Sequence, residues 1–236
     1  TEFAPATNGG PTDITAFGAD RDLSFTPLSA SAALVVDLAE ATTVGLTVQY
    51  AERAPSLLEL FARGPHEATE TFEIGDPNLG KESAFSLEVT AKRVSGPFRF
   101  EAAAYRTSYK DFIFRAFTGN SCGEEFGDCE VGDGEELTQI IYAANDAVFI
   151  GGELGAEWDA FTFASGGILG FDGQFDVVRA EFDEGGDVPR IPPMRLGAGV
   201  YYHEGGLSSR LGAIPPFEQD HVAFNEFRRA SCRESM

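Results

Sequence analysis

Within "GPHEATETFEIGDPNL", residues 64 to 79, His66 is followed by Glu67, Glu70 and Glu73, with Asp76 just beyond. Imidazole and carboxylate together suit zinc or iron. His66, Glu67 and Glu70 are therefore candidate contacts for a metal or a metal-bearing ligand. The competing reading is a solvated loop whose acids keep it soluble. A second acidic run holds Glu124, Glu125, Asp128, Glu130, Asp133, Glu135 and Glu136 and has no basic partner. Its spacing is not that of a calcium-binding loop, and an acidic surface loop accounts for it. Cys122 and Cys129 bracket "CGEEFGDC". A local disulfide in an oxidising compartment fits that spacing, and two free thiols are the alternative. No second cysteine pair or neighbouring histidine completes a zinc site.

Covalent chemistry finds little support. "GGLSSRLG" lacks the pattern of a nucleophile elbow. "FIGGELGAE" has glycines but no helix after them to cradle a phosphate. Only three histidines exist, at positions 66, 203 and 221. The chain reads as a non-enzyme without a cofactor.

The elements that position these residues follow from composition and period. The chain has 236 residues, 17 basic and 38 acidic, for a formal charge of −21. Such a surface repels phosphate backbones, which argues against a nucleic-acid partner. A hydrophobic content of 43% with 21 Phe argues against disorder. There is no apolar run of about 18 residues to make a transmembrane helix. The first residues, "TEFAPATNGG", lack the layout of a signal peptide. The chain is then either cytosolic or an internal piece of something longer.

Apolar side chains recur at every second position for most of the length. Leu34, Val36 and Leu38 share one face, as do Val44, Leu46, Val48 and Tyr50. Phe85, Leu87 and Val89 oppose Ser86, Glu88 and Thr90; Leu154, Ala156 and Trp158 oppose Glu153, Gly155 and Glu157. This is the repeat of a strand. Eight strands are expected, at roughly 23–38, 43–52, 81–94, 98–115, 139–158, 161–180, 193–203 and 207–216. Several reach the 9–11 residues that a tilted membrane-crossing strand needs, about twice the usual strand. Glu88, Glu101, Glu153, Glu157, Asp172, Asp176 and Arg195 would line a wet interior. Tyr50, Trp158, Phe161 and Tyr202 near strand ends suit aromatic girdles. Tight turns are expected at 40–42, 95–97, 159–160 and 204–206, and long loops at 53–80, 116–138 and 181–192. Short turns on one side and long loops on the other suit a membrane barrel. In the fourth strand Arg106 and Lys110 fall on the apolar face, which a bulge or emergence above the membrane would explain. The alternative is a soluble secreted β-sandwich domain binding sugar or cations.

"AERAPSLLELFARGPHEATETFEIGDPNLGKES" is the most informative stretch. Arg53-Ala54-Pro55, Glu59-Leu60-Phe61, Gly75-Asp76-Pro77-Asn78-Leu79 and Glu82-Ser83 resemble, in order and spacing, the C-terminal half of TonB-dependent outer-membrane receptors. "YKDFIF" (109–114) and "VPRIPPMRLGAGV" (188–200) resemble a strand exit and a late strand entry of that family. "GPHEAT" is similar to its zinc and iron–siderophore receptors. Local physics agrees: Pro55 suits a strand end, and Asp76-Pro77 starts a turn. The resemblance implies an all-β fold of antiparallel up-and-down strands from a transmembrane β-barrel. About 8 of the family's roughly 22 strands are visible, an open partial barrel. It also implies an outer-membrane setting among lipid, a metal chelate as ligand, and energy from the TonB complex through an N-terminal region not seen in this sequence. Residues 1–226 would form the barrel part. The tail "FRRASCRESM" breaks the pattern, so 227–236 reads as a non-family segment, as a frameshift would give.

Overall fold

The computed structural model describes residues 22–123, 129–130, 137–215, 217–219 and 223. Along the chain come β1 (Ser29–Ala39), β2 (Thr42–Arg53), the short helix α1 (Leu57–Phe61), β3 (Arg63–His66) and β4 (Thr71–Ile74). Then follow β5 (Glu82–Arg93), β6 (Phe98–Cys122), β7 (Cys129–Glu130), β8 (Leu137–Thr162), β9 (Ile168–Phe182), β10 (Arg195–Glu204) and β11 (Leu207–Ala213). The sheet runs β1-β2-β5-β6-β8-β9-β10-β11, each strand antiparallel to its neighbour. These are the eight strands that alternation predicts. The sheet does not close among the described residues: β1 and β11 each have one neighbour on this path.

Register turns the alternation of each strand into two continuous faces. One cross-strand row reads Leu34, Leu46, Val89, Ala104, Gly152, Val177. The next row on the opposite face reads Gly45, Thr90, Ala103, Glu153, Asp176, Arg195. On the apolar face Leu34 is 62% exposed, Phe85 51%, Ile150 55% and Trp158 52%, and no second sheet covers them among the described residues. A sandwich buries that face against a partner sheet. This chain turns it outward, as a barrel in lipid does, so the soluble sandwich alternative does not hold.

The structure corrects several boundaries. The turn expected at 159–160 lies inside β8, which runs to Thr162 with a register shift between Asp159 and Phe161. The chain reverses at 163–167, where Gly166 takes a φ of 89° and its N–H donates to the Phe163 carbonyl. The first strand begins at Ser29 rather than near residue 23. Much of the loop expected at 116–138 is strand, because β6 and β8 continue past the rest of the sheet as a two-stranded ribbon. The register of β6 with β8 is unbroken from Phe98 to Tyr109, so Arg106 stands on the outward face and no bulge moves it. The bulge comes later, between Tyr109 and Phe112, where Asp111 takes a φ of 54°.

Buried apolar side chains gather at the long-loop end. Phe114, Ala147, Ala180, Phe182 and Val188 form one cluster; Leu60, Leu79, Ile113 and Tyr142 form a second; Phe72, Ile74 and Cys122 form a third.

Candidate functional site

Two regions gather polar chemistry. The first is the segment between β2 and β5. Its α1 opens with a capping box: the Glu59 N–H donates to Ser56 Oγ at 3.3 Å, and the Ser56 N–H donates to Glu59 Oε2 at 2.6 Å. Arg53 Nη1 donates to both Glu59 oxygens at 3.0 and 2.8 Å, and its Nη2 donates to Glu82 Oε2 at 3.0 Å. Glu82 Oε2 also accepts the Ile113 N–H at 2.8 Å, which ties the clamp to β6. Burial alone would raise the Glu59 carboxyl, but Arg53 and the Ser56 N–H hold it below its ordinary range. The "GDPNL" step docks on α1. Gly75 N–H donates to the Ala62 carbonyl at 2.7 Å and Asp76 N–H to the Glu59 carbonyl at 2.8 Å. Asp76 Oδ1 accepts the Asn78 N–H at 2.8 Å, the Asx turn that Asp-Pro-Asn favours. Glu59 and Glu82, scattered in sequence, therefore converge on the Arg53 guanidinium, and the Gly75-Asp76 step docks beside them on the α1 backbone.

Beyond α1 the segment passes over the ribbon. β3 pairs with β4, and β4 pairs in parallel with β8, Thr71 to Ile74 opposite Thr138 to Ile141. This parallel pair departs from the purely antiparallel expectation. All four β4 residues are buried. Glu73, 4% exposed, accepts from Tyr142 Oη at 2.9 Å. Its other oxygen lies 3.1 Å from Arg115 Nη1, near enough for charge attraction but not aligned as a hydrogen bond. Burial, with Glu73 adding to it, pushes the Tyr142 phenol up. Cys122 is disulfide-bonded and packs on Phe72 and Ile74; Cys129 stands opposite it in register.

His66 ends β3 and is exposed; its Nδ1 lies 2.9 Å from Thr69 Oγ1. Glu67 begins a short helical turn, and Glu70 is exposed with a φ of 50°. Among the described residues no three His, Cys, Asp or Glu side chains converge as metal ligands. In the acidic run, residues 124–128 and 131–136, like the tail, lie outside the described residues.

The second region is the polar face near the short turns. Six strands, β5, β6, β8, β9, β10 and β11, line one cavity of about 670 Å³, so this face is concave. Arg99 is its centre. Its Nη1 donates to Asp159 Oδ2 at 2.7 Å and its Nη2 to Glu157 Oε2 at 3.1 Å. Tyr201 Oη donates to Asp159 Oδ1 at 2.5 Å. Arg210 forks onto Asp172, and Lys92 reaches Glu101 at 3.0 Å. The structure brings Glu101, Glu157 and Asp172 to this face as alternation predicts. Sequence reasoning missed Arg99, Asp159, Tyr201 and Arg210. Arg99 shares its side of β6 with Glu101, so alternation carried that signal; Asp159 was lost by reading a turn there. Tyr201 lies flat across Gly170, where an added Cβ would come within 2.2 Å of the ring.

A family model described as "TonB dependent receptor-like, beta-barrel" matches residues 3–227. Among solved structures, "Copper transporter OprC" superposes with a TM-score of 0.62 at 24% identity, covering 83% of this chain and 27% of that one. The siderophore receptor PirA from Pseudomonas aeruginosa superposes with a TM-score of 0.52 at 16% identity, covering 79% of this chain and 33% of that one. At these identities the two structures speak for the fold. The chain spans about a quarter to a third of their length.

Proposed function

The chain belongs to the TonB-dependent receptor β-barrel family, an outer-membrane family of receptors rather than enzymes, and on that premise we propose that it serves TonB-energised uptake of a metal chelate or metal ion. The observation that carries this reading is a family match over nearly the whole chain on a wall with an apolar outer face and a polar concave face. A copper transporter and a siderophore receptor among the similar folds support a metal-related cargo such as siderophore–iron or copper, and the "GPHEAT" resemblance adds zinc. His66, Glu67 and Glu70 are assigned here to the ligand-facing surface of the β2–β5 segment. Among the described residues no ligand set converges on the His66 imidazole, and contact with a preformed chelate is the reading taken here over capture of a bare ion. Cys122 and Cys129, opposite in register, are assigned as one disulfide that closes the ribbon tip. Residues 1–226 are assigned as barrel wall and 227–236 as a separate tail.

The test is a gene deletion in the source cell, followed by growth under separate iron, zinc and copper limitation and by uptake of labelled ferric chelate. Loss of growth or uptake for one metal, restored by the wild-type gene, is the expected result. Wild-type growth and uptake for all three would overturn the reading. His66→Ala in the restored gene is expected to weaken chelate affinity by about two- to tenfold; unchanged affinity removes His66 from the ligand surface.

A further inference from the structure

Two arginines stand where the alternation demands apolar side chains. Arg106 of β6 pairs in register with Leu87 of β5 on one side and Ile150 of β8 on the other. Ile150 in turn pairs with Arg179 of β9. Arg106 and Arg179 therefore flank Ile150 on the outward face, two strand spacings or roughly 10 Å apart. Both are exposed. Below them, toward the short turns, the same face carries Val89, Leu154 and Trp158, all exposed. On β6 and β9 the pair thus marks the long-loop edge of the apolar band, the next outward residues toward the long loops being Ser108 and Glu181.

Their surroundings leave the charges available. Arg106 Nη1 donates to Ser108 Oγ at 2.7 Å, a neutral partner. Glu181 lies two residues beyond Arg179 on the same face of β9. Asp146, on the outward side of β8, is taken by Lys110 at 2.8 Å. Neither arginine forms an ion pair with a carboxylate among the described residues. A charge on the lipid face is costly at mid-bilayer and tolerated near the interface. In a chain of net charge −21, two neighbouring cations that are not ion-paired, placed at headgroup depth with Glu181 as the adjacent carboxylate on the loop side, match an anion held at that depth. Arginine forks suit phosphate, and two of them spaced across one isoleucine can converge on a single phosphate group.

We propose that Arg106 and Arg179 bind the phosphate of a lipid headgroup in the leaflet on the long-loop side of the membrane. The proposal rests on the outer-membrane reading of the family. It assigns the outward face a specific lipid partner, in addition to its general contact with acyl chains.

The test uses the closed-barrel receptor that contains this wall, extracted from outer membranes in neutral detergent. Binding is measured for a diphosphorylated glycolipid (diphosphoryl lipid A), for the same glycolipid without its phosphates, and for inorganic phosphate. Arg106→Gln with Arg179→Gln is expected to weaken binding of the phosphorylated lipid about tenfold, to the level of the dephosphorylated one. Arg195→Gln, which removes a positive charge from the concave face, is expected to leave lipid affinity unchanged. Undiminished affinity in the double variant overturns the proposal. So does binding of inorganic phosphate as tight as that of the lipid, which would make this a free-anion site. Heat-dependent gel migration reports barrel folding separately, so loss of the proposal and loss of the membrane reading are distinct results. If the double variant does not fold, Arg179→Gln alone carries the test, with an expected weakening of about threefold.

Discussion

Arg53 ties three elements of the structure together through one side chain. It binds Glu59 of α1 and Glu82 of β5 at once, and Glu82 also holds the β6 backbone at Ile113. The side chains of Glu59 and Glu82 are 15% and 11% exposed, so neither carboxylate is free to solvate itself if the guanidinium leaves. Arg53→Ala is expected to destabilise the segment by about 1–3 kcal/mol. Arg53→Lys recovers only part, because an ammonium cannot fork to two carboxylates. The sign with pH follows from Glu59, whose carboxyl Arg53 and the Ser56 N–H hold low against the opposing effect of burial. A depressed acid stabilises the fold above its unfolded pKa, and that contribution is lost as pH falls through the lowered folded value. Limited proteolysis within residues 54–81 should therefore rise only below the ordinary glutamate range in the wild type, and already at neutral pH in Arg53→Ala. Equal cleavage of the two proteins across that range would show that the clamp does not hold the segment.

The element that this clamp serves is the strap formed by α1, β3 and β4. It crosses from the β5 side of the ribbon to the far edge of β8, where β4 adds a short parallel strand. Gly75 is the tightest point. A Cβ there would come within 2.6 Å of the Leu60 carbonyl carbon and the Phe61 nitrogen, and backbone cannot step aside as a flexible side chain can. Gly75→Ala is expected to cost about 1–3 kcal/mol locally, to raise hydrogen exchange in β4, and to leave exchange in β2 and β9 unchanged. Unchanged exchange in β4 would mean that the strap is not seated on α1. This strap marks the limit of what the sequence discloses. The long strands were legible because each buries nothing on one face and must show its apolar residues at every second position. β4 was not, because "TFEI" is only four residues long and all four are buried: Phe72 and Ile74 alternate with Thr71 and Glu73, but the polar pair reads as part of an acidic loop until the fold buries it. The continuation of β6 through "TGNSC" was missed for a related reason, whereas β8 was read to within two residues of its start at Leu137: the far part of the ribbon is held by pairing across the chain and by the strap, not by a local pattern. Arg53, Glu59 and Glu82 were legible as motif pieces, but their meeting on one guanidinium depends on the fold of the intervening segment. The network at Arg99 and Asp159 was hidden by a misplaced turn.

At the scale of the molecule, the open edges decide what the chain can do alone. All eleven residues of β1 and all seven of β11 are exposed. Each of these strands leaves one edge of backbone N–H and C=O groups without a strand partner among the described residues. In hydrocarbon each unsatisfied group costs several kcal/mol, and the apolar outer face forbids the simple escape into water. The free energy of insertion is favourable only when further strands pair with both edges and the wall becomes a closed barrel. The concave basin at Arg99 then becomes the inside of a lumen rather than an open trough, and its ion pairs, now solvated on one side, face whatever fills that lumen. The eight-stranded wall produced by itself is therefore expected to remain in the urea-extractable fraction of the outer membrane. It should run at one position on a gel with or without heating, and support no ligand uptake. The same wall within a closed barrel should resist urea extraction and show heat-dependent migration. Stable, heat-modifiable insertion of the wall alone would mean that β1 and β11 find partners in each other or in a second copy, and would overturn the requirement for further strands.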